Sequence, residues 1–306
     1  NSAVLASEGI FVLPSELEAH RLAVNCITES SRLQMPDIPP IQALPFDSAC
    51  RTLLEGASRI GVHTTLVSSE YFSIVDPSDV ATMLAGVGVS VGRVICFVRR
   101  QDDLLASGYN QDVKALGYSA PFSPPTTWLR AYDWSSLRDD WQRAFPAAQV
   151  TLRNFDHHRS RGTLVKTFAQ DIGATSTYEL PEIPTVNESL CAELLEIVRR
   201  ANATGLPEIA HLAIKAQASG LTGTPFAFSE RERRSILRLY RASNSRLAKE
   251  DPRGEFGDFA HDRDKNPGLN MTGTFPAEFA LKLLAWQINQ TQDLTCRSDD
   301  SKCHRH

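Results

Sequence analysis

Apolar and polar positions follow two different rhythms along this chain, and the change between them divides it. Up to about residue 175, short apolar runs stand between segments of helical spacing. Ile10 to Leu13 (stopped by Pro14), Ile60 to Ser68, Val94 to Arg99 and Val150 to Phe155 read as strands, rich in β-branched residues. Helical spacing fills Phe46 to Ala57, Asp76 to Leu84, a stretch opening at Gln101-Asp102-Asp103, Trp134 to Phe145, and Leu164 to Ile172 before Gly173. Asp76 ahead of Pro77 is a cap followed by a first-turn proline. The opening residues, Asn1 to Glu8, read as the tail of a helix closed by Gly9. Short strands alternating with helices predict parallel βαβ units, hence an α/β fold with a central parallel sheet flanked by helices.

Beyond Pro181-Glu182-Ile183-Pro184 the pattern turns to helix alone. Glu188 to Ala201, Ser229 to Lys249 and Ala277 to Asn289 carry helical periodicity, while residues 251–270 are polar, rich in Gly and Asp, and read as a loop. The expected organisation is an α/β core over 1–175, a helical C-terminal part of the same domain over 176–295, and a polar tail over 296–306. No internal repeat is visible.

Bulk numbers narrow the class without choosing a function. With 306 residues, 42% apolar and 22% charged, the chain can bury a large core and is unlike a disordered one. A net charge of −4 offers no broad basic field for nucleic acid. No apolar stretch approaches the length of a membrane span, and no charged-then-apolar leader opens the sequence. Cysteines at 26, 50, 96, 191, 296 and 303 form no CxxC pair and read as reduced thiols of a cytoplasmic protein. Four Asn-x-Ser/Thr matches, at Asn187, Asn202, Asn270 and Asn289, carry no meaning outside a secretory context.

The candidate chemistry lies where the third strand meets its helix, in VICFVRRQDDLLASGYN (94–110). A strand that delivers Arg99 at its carboxyl end, with Ser107 about a turn and a half into the following helix, can hold one phosphate between guanidinium and hydroxyl. The planar fork of Arg matches phosphate oxygens, and each such charge-assisted bond is worth roughly 1.5–3 kcal/mol. On spacing alone, solvated strand-end arginines and an ordinary helix serine are the readier account. Glu70, at the carboxyl end of the preceding strand, should face the same crevice, since ligands of open α/β sheets bind along that edge. It is either a general base or a capping, exposed carboxylate.

These residues resemble a known family. Arg99-Arg100-Gln101-Asp102-Asp103-Leu104-Leu105-Ala106-Ser107, preceded by Val98 and followed by Gly108-Tyr109-Asn110-Gln111, is similar to the 3′-phosphate-binding segment of the sulfotransferases, closest to the bacterial sulfotransferase-like proteins. The resemblance implies a P-loop-type α/β fold and 3′-phosphoadenosine 5′-phosphosulfate as co-substrate, without a metal. Arg99 and Ser107 would then hold its 3′-phosphate. Glu70 stands where the animal cytosolic members have a catalytic His, and a carboxylate in reach of the acceptor hydroxyl can serve as base. The segment from Val150 to Gly173 is similar to a later strand and loop of the family, which makes Phe155 the adenine-side aromatic. His63 is expected as a strand residue, and His157-His158 as loop residues that ligate nothing.

The sequence also departs from the family. Members open with a strand and a Lys-Thr/Ser-Gly-Thr-Thr-type loop that cradles the 5′-phosphosulfate at a helix N-terminus. No such loop occurs here. Gly220-Leu221-Thr222-Gly223-Thr224-Pro225 has the glycines but no adjacent Lys, and the family's late Arg-Lys-Gly segment is absent as well. Asn1 to Gly9 resemble the end of the helix that follows the loop, so the expectation is a chain cut just after it, or a branch that lacks it. The implied reaction is sulfuryl transfer to a hydroxyl of a carbohydrate or small metabolite. Two rivals stand beside it: a non-catalytic nucleotide- or partner-binding protein, and a P-loop kinase, which would need a Walker-type loop and a magnesium-holding acid.

Overall fold

The computed structural model describes residues 2–12, 23, 54–56, 58–59, 61–127, 129–175, 188–260 and 276–288. The calls on residues 46–53, on the tail 296–306 and on most of the 251–270 loop beyond Ala260 lie outside these. Clustering of contacts divides the chain into two units. One comprises 1–99, 129–184 and 242–260; the other comprises 100–128, 185–241 and 261–306.

The first unit holds every strand among the described residues. Helix α1 (Ser2–Ser7) ends at Gly9, whose φ of 71° suits a residue without Cβ, and β1 (Ile10–Val12) follows. β1 pairs in parallel with β2 (Thr64–Leu66), Ile10 opposite Thr64. Helix α2 (Pro77–Gly86) begins as its sequence predicts, with Pro77 in the first turn and Asp76 accepting from the Ser78 N–H at 2.9 Å. β3 (Arg93–Val98) pairs in parallel with β4 (Gln149–Asn154), in a register that sets Val98 opposite Asn154. Helix α4 (Trp134–Ala144) lies between them in sequence, and α5 (Phe155–Ser160) and α6 (Leu164–Asp171) follow β4 without a long loop. Leu5, Ile10, Ala169 and Ile172 form a core against which Leu66 and Ile95 pack, so one apolar cluster receives side chains from both strand pairs.

The second unit is helical. Helix α3 (Gln101–Ala115) packs with α7 (Ala192–Ala203) and α9 (Glu230–Leu239), and α8 (Glu208–Ala218) packs on α7. Val113, Leu194, Val198, Ala213 and Ala216 are buried together there, joined by Phe279 and Leu283 of α12 (277–288). Asn110 is buried but fully used: its amide donates to Leu190 O at 2.9 Å and accepts from the Leu190 N–H at 3.0 Å. Helix α10 (Arg241–Glu250) and the single turn α11 (Gly257–Ala260) belong to the first unit apart from Arg241 itself.

The molecule is thus mixed α/β and mostly helical. Its strands form two short parallel pairs rather than one continuous sheet among the described residues. The expected strand from Ile60 to Ser68 shrinks to three residues, because Gly61 at φ 83° opens a turn and Ser69 caps a 3-10 helix (Glu70–Ser73). The single helix expected from Ser229 to Lys249 breaks at Tyr240, which is 1% exposed and ends α9. His157 and His158 are helical, not in a loop, because the Asn154 side chain caps α5 by accepting from the His157 N–H at 3.2 Å.

Candidate anion site at the ends of β3 and β4

Where β3 ends, the period of two along an extended chain sorts its two arginines. Val98 and Arg100 point inward, each 2% exposed, and Arg99 between them points out. Arg100 is spent internally, donating from Nε and Nη2 to the two carboxylate oxygens of Asp102 at 2.7 Å each. Arg99 keeps 22% of its side chain exposed. Its Nε donates to Asp156 Oδ2 at 3.0 Å, and its guanidinium carbon lies 5.5 Å from the centre of the Phe155 ring. Its Nη1 and Nη2 have no partner among the described residues. The backbone of Arg99 is fixed too, since its carbonyl accepts from Trp134 Nε1 at 2.8 Å. One edge of the guanidinium is therefore pinned, its carbon lies over an aromatic ring, and its terminal fork is open among the described residues. That is an oriented receptor for a planar or tetrahedral oxyanion.

The side chains that orient Arg99 sit on the first turn of α5, which begins directly at the end of β4. A buried polar cluster anchors that junction. Glu255, 5% exposed, accepts from Arg153 Nη1 at 2.7 Å and from the Asn154 N–H at 3.3 Å, and its carbonyl accepts from Asn154 Nδ2 at 2.7 Å. Arg153 also grips Asp171 through Nε at 2.7 Å and Nη2 at 2.5 Å. His158 Nε2 lies 3.2 Å from Glu255 Oε2 without making a hydrogen bond, while its Nδ1 is 3.0 Å from Thr163 Oγ1. Burial opposes the charged form of Glu255, but the bonds from Arg153 and the Asn154 N–H outweigh it and hold its carboxyl below the usual range. The Asp171 and Glu255 contacts push Arg153 the other way, above its already high value.

Of the sequence-predicted site residues, the structure brings Arg99 and Phe155 together. Ser107 lies on the second turn of α3, in the other unit, half-buried and with no hydroxyl partner among the described residues. Glu70 opens the 3-10 helix four residues beyond β2, with its side chain exposed and its carbonyl accepting from Ser73 Oγ at 2.7 Å. Glu70 thus follows a strand of one pair at a distance while Arg99 directly follows a strand of the other, so the expectation that both face one crevice rests on the strand-edge rule alone. Asp156, Trp134 and Glu255 were not foreseen. Asp156 had a signal, as the acid directly after the aromatic; Glu255 sits in a segment whose polarity reads only as loop.

Elsewhere, Cys96 and Cys191 are free thiols, each pushed up to about 11, chiefly by burial. Among the described residues no three His, Cys, Asp or Glu side chains gather in a way that could hold a metal ion, and no helix is long and apolar enough to cross a membrane.

Fold and site together define a mixed α/β protein with an arginine–aromatic–carboxylate cluster at the carboxyl ends of a parallel strand pair. A stretch of 144 residues, 45% of this chain, is 29% identical to an uncharacterized protein of Archaeoglobus fulgidus, of which it covers 38%. The chain thus matches well under half the length of that relative. No family model matches the chain, and no solved structure does.

Proposed function

We propose that the open fork of Arg99 binds the 3′-phosphate of 3′-phosphoadenosine 5′-phosphosulfate, and that the protein is a sulfotransferase acting on a hydroxyl of a carbohydrate or small metabolite. The observation that carries this reading is a guanidinium pinned by Asp156 beside the Phe155 ring, with an Nη edge that has no partner among the described residues. In this reading the two strand pairs belong to one central parallel sheet. Phe155 offers its ring to the adenine, and Ser107 adds a hydroxyl to the phosphate. Glu70 takes the proton of the acceptor hydroxyl as its oxygen attacks sulfur, and adenosine 3′,5′-bisphosphate leaves. The reaction is an in-line transfer that depends on positioning and on charge stabilisation at the leaving oxygen.

Calorimetric titration with adenosine 3′,5′-bisphosphate tests the donor half. Arg99→Ala is expected to weaken binding by roughly 1.5–3 kcal/mol, about ten- to a hundredfold; an unchanged affinity would remove Arg99 from the site. For the acceptor half, Glu70→Gln should leave that affinity intact and lower turnover with labelled sulfuryl donor. Equal turnover in the variant would dismiss Glu70 as base. The alternative, a non-catalytic nucleotide-binding protein, shares the arginine and gives binding without transfer in the same assay.

A further inference from the structure

We propose that the exposed face of α9 is a docking surface for an anionic polysaccharide. The stretch Ser229-Glu230-Arg231-Glu232-Arg233 found no role in the site above, yet it opens the most charged helix among the described residues. α9 buries Ile236 completely and packs on α3, while its exposed residues are Glu230, Arg231, Arg234 and Arg238. Spacings of three and four place the three arginines on one side of the helix, over a length of about 10 Å. Arg241, also exposed, comes directly after the capping residue Tyr240. Arg234 pairs with Glu230. Arg231, Arg238 and Arg241 have no carboxylate partner among the described residues.

On a chain of net charge −4, arginines with no carboxylate partner among the described residues, gathered along α9 and just past its end, concentrate the opposite sign, and that complementarity calls for a polyanion. The cations are all arginine, whose fork suits the carboxylate and sulfate groups of acidic sugars. No exposed aromatic of α9 is available to stack a base, and no exposed apolar residue to enter a lipid layer. An acidic glycan asks for neither. Naming this glycan as the sulfuryl acceptor rests on the proposed function; the docking surface itself does not.

Heparin, a sulfated polysaccharide, is the probe. The intact chain should be retained on immobilised heparin and released by salt. R231A/R238A/R241A should elute at lower salt, with its log affinity–log salt slope reduced by up to about three. Each single variant should shift less in the same direction. Arg143→Ala removes another exposed arginine, paired with Asp140 on α4, and should elute like the parent. Unshifted elution in the triple and all single variants would overturn the proposal. So would tighter, ridge-dependent binding of single-stranded DNA or of phosphatidylserine vesicles. Titration with adenosine 3′,5′-bisphosphate keeps the two readings apart. Heparin failure with nucleotide binding intact sinks the ridge alone, and nucleotide failure with heparin binding intact sinks the Arg99 site alone.

Discussion

Two adjacent arginines meet opposite fates here because a strand alternates its faces. Arg100 is turned in and neutralised by Asp102, so its removal is a stability matter, whereas Arg99 is turned out with its fork open. Asp156 orients that fork through Nε without filling it. Asp156→Ala should therefore weaken anion binding severalfold by freeing the guanidinium to rotate. Isothermal titration reads this directly, and tighter binding in the variant would recast Asp156 as a competitor for the fork. Glu255 is the other decisive residue at this scale. It accepts from Arg153 and the Asn154 N–H and forms an ion pair with Arg253, and removing one member of a buried ion pair leaves the others uncompensated. Glu255→Ala is expected to lower unfolding free energy by about 3 kcal/mol, read from the urea midpoint. A change within error would mean that water takes its place freely.

Local chemistry decides where the elements begin. Ser229 and Glu232 form a reciprocal capping box at the start of α9, so Ser229→Ala should cost about 1 kcal/mol in urea unfolding without moving nucleotide affinity. An unchanged midpoint would show that tertiary packing alone holds the helix. The caps Asp76 and Pro77, and the glycines that close helices, were legible in the sequence because they act within a few residues. So were the strands around Val94 to Val98 and Val150 to Asn154, whose β-branched and apolar runs need no distant partner to be recognised. The brevity of β2 was not, because Gly61 and Ser69 each curtail it by a turn that a β-branched run conceals. The break at Tyr240 was equally hidden, since helical periodicity continues through it. Arg99 and Phe155 were found separately, by resemblance. Their juxtaposition depends on the parallel register of β3 with β4, and Glu255 reaches that junction from a hundred residues away. Neither fact is written in local spacing.

For the whole molecule, pH response follows from its paired carboxylates. Burial disfavours the charged forms of Asp133, Asp139, Glu196 and Glu255, yet hydrogen bonds from serines, arginines and backbone N–H groups hold each below its ordinary value. A depressed folded-state value stabilises the fold above the unfolded-state pKa, about 4 for these groups, and that contribution is lost as pH falls through the folded value. The urea midpoint should hold steady from pH 7 to about 5 and fall progressively below about 4. A midpoint that rises or stays level down to pH 3 would contradict the pairing described.

Trp134, whose indole is bonded to the Arg99 carbonyl, stands beside the proposed ribose-phosphate contact of Arg99 as a reporter. Fluorescence titration of the intact chain and of Arg99→Ala, with Trp134→Phe as signal control, tests that contact most directly. The account predicts saturable quenching by adenosine 3′,5′-bisphosphate, at least tenfold weaker with adenosine 5′-monophosphate and in Arg99→Ala, and lost in Trp134→Phe. Equal responses to both nucleotides, or an undiminished response in Arg99→Ala, would contradict it.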